Sequence, residues 1–241
     1  QRFPDAGLSL GILNVLGGIQ GVRTIHHTAA IVMMFGTAWH ILVMGYSVFV
    51  MRDKMSMLPT FQDAKDGIQA VLYNVGFAKT PPQMGRYTFE EKMEYWAFVW
   101  GALVMAATGF LMWNPITATQ YLPGELIPAA KAAHGNEAVL AVLAIIIWHM
   151  YGVHIKRFNK AMFNGQITEE EMLHEHPLEL ADIKAGMADR RPDAATLRKR
   201  QMIYYPIAAI LTLGMLGGIY GFINAEETAL TTIPPIVETV D

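Results

Sequence analysis

Six histidines of this chain lie in or beside strongly apolar stretches: His26, His27, His40, His134, His149 and His154. An imidazole in hydrocarbon costs free energy unless it pairs or binds something, so these are the residues whose chemistry has to be explained first. Their spacing sharpens the question. His26 and His40 are 14 residues apart, which at about 100° and 1.5 Å per residue returns to one helix face about 21 Å further along the axis. His27 and His40 fall on a much worse face. His134 and His149 are 15 apart, about 60° from perfect register and about 22 Å apart in depth.

The elements that must position these residues are membrane spans. Of 241 residues, 53% are hydrophobic and only 16% charged, a balance outside that of ordinary soluble domains. Four stretches approach or exceed the length of about 20 residues needed to cross a bilayer core: Arg23 to Met51, Tyr95 to Trp113, Ala138 to Val153 with its flanks, and Met202 to Ile223. The expected fold is therefore all-α, an integral membrane bundle of four spans. One span separates the first from the third, so those two run in the same direction. His26 and His134 then share the outer level, and His40 and His149 the inner.

Charge sets the sidedness. The connection from Arg52 to Lys92 holds six Lys or Arg and that from Lys156 to Arg200 holds nine, whereas Asn114 to Ala133 holds only Lys131. By the positive-inside rule the first two connections are cytoplasmic. The acidic tail "NAEETALTTIPPIVETVD" lies outside. Residues 1–22 form an outer-surface segment, 23–157 a three-span core, 158–200 a cytoplasmic helical segment, and 201–241 the last span and tail. The chain opens on Gln1 with no signal-peptide pattern, which reads as a further upstream span removed, encoded separately or left out. Phe61, Ile68, Val71, Leu72 and Val75 recur at helical spacing, as in an amphipathic helix at the membrane surface. A second cytoplasmic helix is expected from Thr168, where "TEEE" supplies a cap, to about Ala188.

Two levels of facing imidazoles are what two bis-histidine b-type haems require, because neutral imidazole is a normal axial ligand of haem iron. Ala29, Ala30, Gly36 and Ala38 in the first span, and Gly135, Ala138, Ala141 and Ala144 in the third, leave room for a flat macrocycle. A single histidine on an apolar helix is more often a hydrogen-bonded core residue; four at matched depths on parallel spans favour ligation by His26, His40, His134 and His149. His27 reads as a packing or hydrogen-bonding residue. His154, five residues after His149 and so about 140° around an α-helix, would line a quinone pocket or contact a haem propionate. Arg23 outside, and Arg52, Lys156 and Arg157 inside, are candidate propionate partners by charge and depth, with ordinary anchoring the competing reading of the inner three. His174 and His176 read as a solvated face, and the 16 methionines as core filling. The absence of cysteine excludes thiolate zinc sites, cysteine-ligated clusters, covalently attached haem and disulfides from this chain. No basic stripe points to nucleic acid.

Three stretches carry a resemblance to a known family. "GRYTFEEKMEYWAFVWGALVMAATGFLMW" (Gly85 to Trp113) looks like the third helix of the cytochrome b (gamma) subunit of membrane-bound formate dehydrogenase, "RTIHH" resembles the start of that family's second helix, and "WHMYGVH" (Trp148 to His154) resembles the end of its fourth. "HGNEAVLAVLAIIIWHMY" with "EHPLE" is similar to the b-type subunits found beside multihaem cytochromes c. The resemblance covers roughly residues 23–157. It implies a multi-subunit complex in the bacterial inner membrane, two b haems, a menaquinone or ubiquinone site near the inner haem, and a redox partner that is a multihaem cytochrome c or an iron–sulfur protein. His26 and His134 would hold the outer haem and His149 one side of the inner. For the second inner ligand the resemblance points to a histidine on an upstream helix, where spacing selects His40.

The leading expectation is a di-haem cytochrome b passing electrons between the quinone pool and a partner subunit. Its rival is a structural membrane anchor whose histidines only join helix to helix. An ion or proton transporter is disfavoured because the spans lack buried acids, with Glu94 and Glu137 at span ends. The charge asymmetry predicts that Ser56→Cys, in a chain otherwise free of thiols, reacts with an impermeant reagent from the cytoplasmic side only; labelling from outside would overturn the topology.

Overall fold

A computed structural model of the chain describes residues 7–156, 160–188 and 191–224. Arg157 and the acidic tail lie outside the described residues. In chain order the helices are α1 (Gly7–Val15), α2 (Gly18–Tyr46, continued by a π-helical turn Ser47–Met51), α3 (Phe61–Asn74), α4 (Phe89–Trp113), α5 (Pro115–Thr119), α6 (Leu126–Ala144, continued by the π-helical stretch Ile145–Lys156), α7 (Ala161–Asn164), α8 (Glu169–Glu175), α9 (Pro177–Lys184) and α10 (Ala194–Asn224). The described residues are all-α. Four of these helices are long and apolar enough to cross a membrane: Gly18–Met51, Phe89–Trp113, Leu126–Gly152 and Ala194–Asn224. At most 6% of any of these spans' most apolar windows is buried inside the protein, so their apolar faces are turned to lipid or to bound groups.

The first span starts five residues before the expected Arg23. Gly17 and Gly18 both have positive φ, 80° and 76°, a conformation glycine adopts without steric cost, and they turn the chain from α1 into α2. A Cβ on Gly21 would stand 1.7 Å from the Leu16 carbonyl oxygen; only glycine fits there.

By contact the chain forms two compact units, one comprising residues up to 54 together with 191–224, the other spanning 55–190. In the first unit α10 packs on α2 near their inner ends. The Arg200 guanidinium donates to the Val50 carbonyl at 3.0 Å, Gln201 donates to the Tyr46 hydroxyl at 2.7 Å, and the Tyr204 hydroxyl donates to the Leu42 carbonyl. Arg200 thereby places a cation on the carbonyl end of the first span, where the helix dipole favours it. Val50 is fully buried. The Tyr46 and Tyr204 rings meet edge to face at 5.6 Å, and Gly45 admits the Tyr204 hydroxyl, which a Cβ there would approach to 3.1 Å.

In the second unit α4 and α6 pack antiparallel, and a platform of short helices holds the start of α4. α3 begins with a capping box between Thr60 and Asp63, and its face of Phe61, Ile68, Val71, Leu72 and Val75 is exposed, as an interfacial helix requires. Asp63 also accepts from the Lys92 ammonium at 2.6 Å, and Trp96 donates to the Met57 carbonyl at 2.9 Å. The single helix expected over 168–188 is instead two, α8 and α9, because Pro177 has no N–H to continue α8 and starts α9 at its first position. At that break His176 is buried, 6% exposed, and its Nδ1–H donates to the Gly85 carbonyl at 2.9 Å. This corrects the reading of His176 as solvated; His174 is exposed.

Burial pushes the Asp63 carboxyl up, but the hydrogen bonds from Lys92 and Thr60 outweigh it and hold the group below its ordinary value. A depressed folded value means the contribution is present at neutral pH and is lost as pH falls through the carboxylate range. Thermal unfolding in detergent should therefore show an acid-side loss of stability below about pH 4 that Asp63→Asn reduces. At neutral pH Lys92→Met should cost about 1–3 kcal/mol.

Candidate functional site

Glu94, Gly101 and Thr108 recur every seven residues along α4, within about 20° of one line at each step. Each meets a residue of the antiparallel partner helix. The Thr108 hydroxyl donates to the Val104 carbonyl at 2.6 Å and lies 2.8 Å from His134 Nδ1. Its one proton is committed to the carbonyl, so its oxygen accepts from the imidazole Nδ1–H. His134 is thereby fixed in the tautomer that carries its lone pair on Nε2. Gly109 lies beneath the ring: a Cβ there would be 3.5 Å from His134 Cε1. At the other end of α4, Glu94 Oε1 lies 2.5 Å from His149 Nδ1, and a carboxylate acceptor fixes the same tautomer in His149.

Between these levels Glu137 reaches α4 at Gly101, where a Cβ would stand 2.8 Å from Glu137 Oε1. This corrects the placing of Glu137 at a span end. Its helix begins at Leu126, and Gly101 is midway along α4. Lys131, His134 and Asn136 dilute the apolar signal of the first turns of α6, so a hydropathy window starts too late. Glu94 does lie near a helix end, but it is turned onto His149.

The π-helical stretch Ile145–Lys156 changes two angular expectations. Bonds from i to i+5 put more residues into each turn, so the residues leading to His149 rotate less than in an α-helix and bring it back towards the His134 face. Both histidines consequently meet the same stripe of α4. The same geometry stacks residues five apart: the His149 and His154 rings are 5.8 Å apart, edge to face. His154 therefore shares the face of His149, where an α-helix would place it about 140° away.

In the first unit α2 is uninterrupted α-helix through both histidines, so the 14-residue register of His26 and His40 holds. Both side chains are exposed. Leu42, Gly45 and Tyr46, which meet α10, lie about 120–200° from His40 around the helix; α10 holds α2 from behind and leaves the histidine face open. Arg23 stands one turn outward of His26 on that side. The His27 ring lies 6.3 Å from that of His26. Arg52 closes the π turn in a left-handed conformation, φ 59°, with its side chain exposed.

Comparison with known proteins supplies the family. Residues 3–165 match the sequence model of the family described as prokaryotic cytochrome b561. The chain belongs to that family. It is thus a multi-pass protein of the bacterial inner membrane, and its family implies b-type haem. Among curated relatives, the cytochrome b556(Fdn) subunit of the nitrate-inducible formate dehydrogenase of Escherichia coli K12 is 26% identical over 111 residues, 46% of this chain and 50% of the relative. The cytochrome b556(fdo) subunit of formate dehydrogenase from the same strain is 26% identical over 176 residues, 69% of this chain and 73% of the relative. The chain thus spans about half the length of the first of these relatives. No solved structure matches.

The side chains of this chain fit the haem that its family implies. Two imidazoles on one helix each have Nδ1 engaged by the protein, which leaves Nε2 as the nitrogen that would be available to a metal, and the partners that fix the rings are of the kind that orient histidine ligands. The sequence reading missed those partners, Thr108 and Glu94. The signal available was the 14-residue spacing of two polar side chains in one apolar helix, matched to the 15-residue spacing of histidines in the next. Gly109→Ala makes an ordinary van der Waals contact and should keep the full haem content. Gly109→Leu should push His134 off Thr108 and lose one haem per chain by pyridine haemochrome assay.

Proposed function

We propose that this chain is a transmembrane di-haem cytochrome b that passes electrons between the quinone pool and a redox partner subunit. The observation that carries the reading is the pair of imidazoles on α6 and its π-helical continuation, each fixed through Nδ1 by a residue of one stripe of α4. Bound haem would supply the one-electron chemistry. The residues' task is to hold, space and insulate it. In this assignment His26 and His134 are the axial ligands at the outer level and His40 and His149 those at the inner, with Arg23 beside the outer propionates.

The relatives are subunits of formate dehydrogenases by name, which supports a place in a multi-subunit complex. We assign the partner as a multihaem cytochrome c or an iron–sulfur protein. A site for menaquinone or ubiquinone belongs at the inner level. A cavity of about 220 Å³ opens there, lined by Asp63, Asp66, Gln83, Arg86, Tyr87 and Lys92 among others. Lys92 and Glu94 are two residues apart on α4, about 200° around the helix, so this cavity and His149 occupy opposite sides of α4 at nearly the same depth. Its polar lining suits the carbonyl oxygens of a quinone head group. His154, on the face of His149, borders the inner level from the other helix.

Purified protein should show reduced b-type absorption bands and two haems per chain; colourless protein would leave only the structural-anchor reading. His134→Ala should remove the outer haem and keep the inner. His40→Ala should abolish the inner low-spin signal while the outer persists. Retention of both low-spin signals in His40→Ala would show that an upstream helix completes the inner site.

A further inference from the structure

The two α6-borne imidazoles are held by chemically different acceptors. Thr108, facing His134, offers a neutral hydroxyl oxygen whose proton is already given to Val104. Glu94, facing His149 at 2.5 Å, offers a carboxylate. Both acceptors sit on one face of α4, 14 residues apart, and differ in side-chain type. The Glu94 and His149 side chains are 36% and 42% exposed, which places the pair at the edge of the second unit with room for a group against the ring.

We propose that Glu94 is a positioning residue that lowers the reduction potential of the inner haem relative to the outer one. This rests on the reading of His149 as the inner axial ligand. A carboxylate accepting the Nδ1–H draws that proton towards itself and makes the opposite nitrogen a stronger donor, as carboxylate partners of metal-bound histidine do. A stronger donor favours the more highly charged ferric state, and hydrogen bonding around the ligands is one of the protein's means of setting haem potential. The hydroxyl of Thr108 has no comparable charge to apply. Glu94 also fixes the ring plane of His149, so that the orientation of the inner ligand is set by α4 from its cytoplasmic end.

Potentiometric titration of the two haems in purified full-length protein tests this. Glu94→Gln keeps an acceptor oxygen and the side-chain length while removing the charge. It should retain two haems and displace the inner haem's redox equilibrium at least tenfold toward the reduced form, about 59 mV for a one-electron couple, with the outer haem unmoved. Glu94→Asp, which restores the charge, should recover part of that shift. Unchanged midpoints in Glu94→Gln with full haem content would overturn the proposal, as would equal movement of both haems. Loss of the inner haem in Glu94→Gln would show that Glu94 secures ligation rather than sets the potential, and would overturn the tuning. His149→Ala separates the two claims. Retention of the inner low-spin haem there would sink the ligand assignment itself, whereas its loss together with unshifted Glu94→Gln midpoints would sink only the tuning.

Discussion

An imidazole ring in a membrane span has two nitrogens, and hydrocarbon can partner neither. In the second unit that constraint is met by one stripe of α4, which takes the Nδ1–H of His134 on a hydroxyl and that of His149 on a carboxylate. The rotation of α4 about its own axis therefore decides which way both rings point. That rotation is fixed from outside the apolar region. Lys92 and Trp96, one turn apart on α4, are tied to Asp63 and to the Met57 carbonyl, and Lys92 lies about 200° around α4 from Glu94. The chain just before α4 is tied in turn to the α8–α9 break through His176 and the Gly85 carbonyl. The platform of short helices is thus the handle that aims the stripe, so disturbing it should act on the imidazoles at a distance.

The helix carrying those imidazoles adjusts its own register. Fifteen residues between histidines overshoot one α-helical face, and a straight helix could satisfy Thr108 or Glu94 but not both well. The π-helical stretch takes up the excess. Such stretches are rare and concentrate at functional sites, and here the reason is visible in which side chains it realigns. The same change brings His154 onto the face of His149, an arrangement unavailable to residues five apart in an α-helix.

These two features mark where the sequence was legible. The spans and the common face of His26 and His40 follow from hydropathy and from a spacing of 14 on a helix that stays regular, and the structure keeps them. The interfacial helix from Phe61 follows from the period of its apolar residues. What escaped were interactions between helices. A hydropathy window averages over a whole turn, so Glu137, flanked by Lys131 and Asn136, reads as the end of a span when it faces Gly101 midway along α4. His176 reads as solvated because "HEH" is polar in sequence, and its burial is created by Pro177 stopping one helix and by the Gly85 carbonyl arriving from 91 residues away. The π geometry has no composition of its own by which a linear reading could find it.

The first unit obeys the same constraint in a complementary way. Its polar contacts are gathered between the C-terminal part of the first span and the N-terminal part of α10: Arg200 on Val50, Gln201 on Tyr46, Tyr204 on Leu42. Between helices in a bilayer there is no hydrophobic driving force, so close packing and such hydrogen bonds carry the association, and Gly45 supplies the close approach. All of these residues lie on the side of α2 away from His40. α10 therefore supports α2 without competing for the face that carries His26 and His40, whose rings remain exposed.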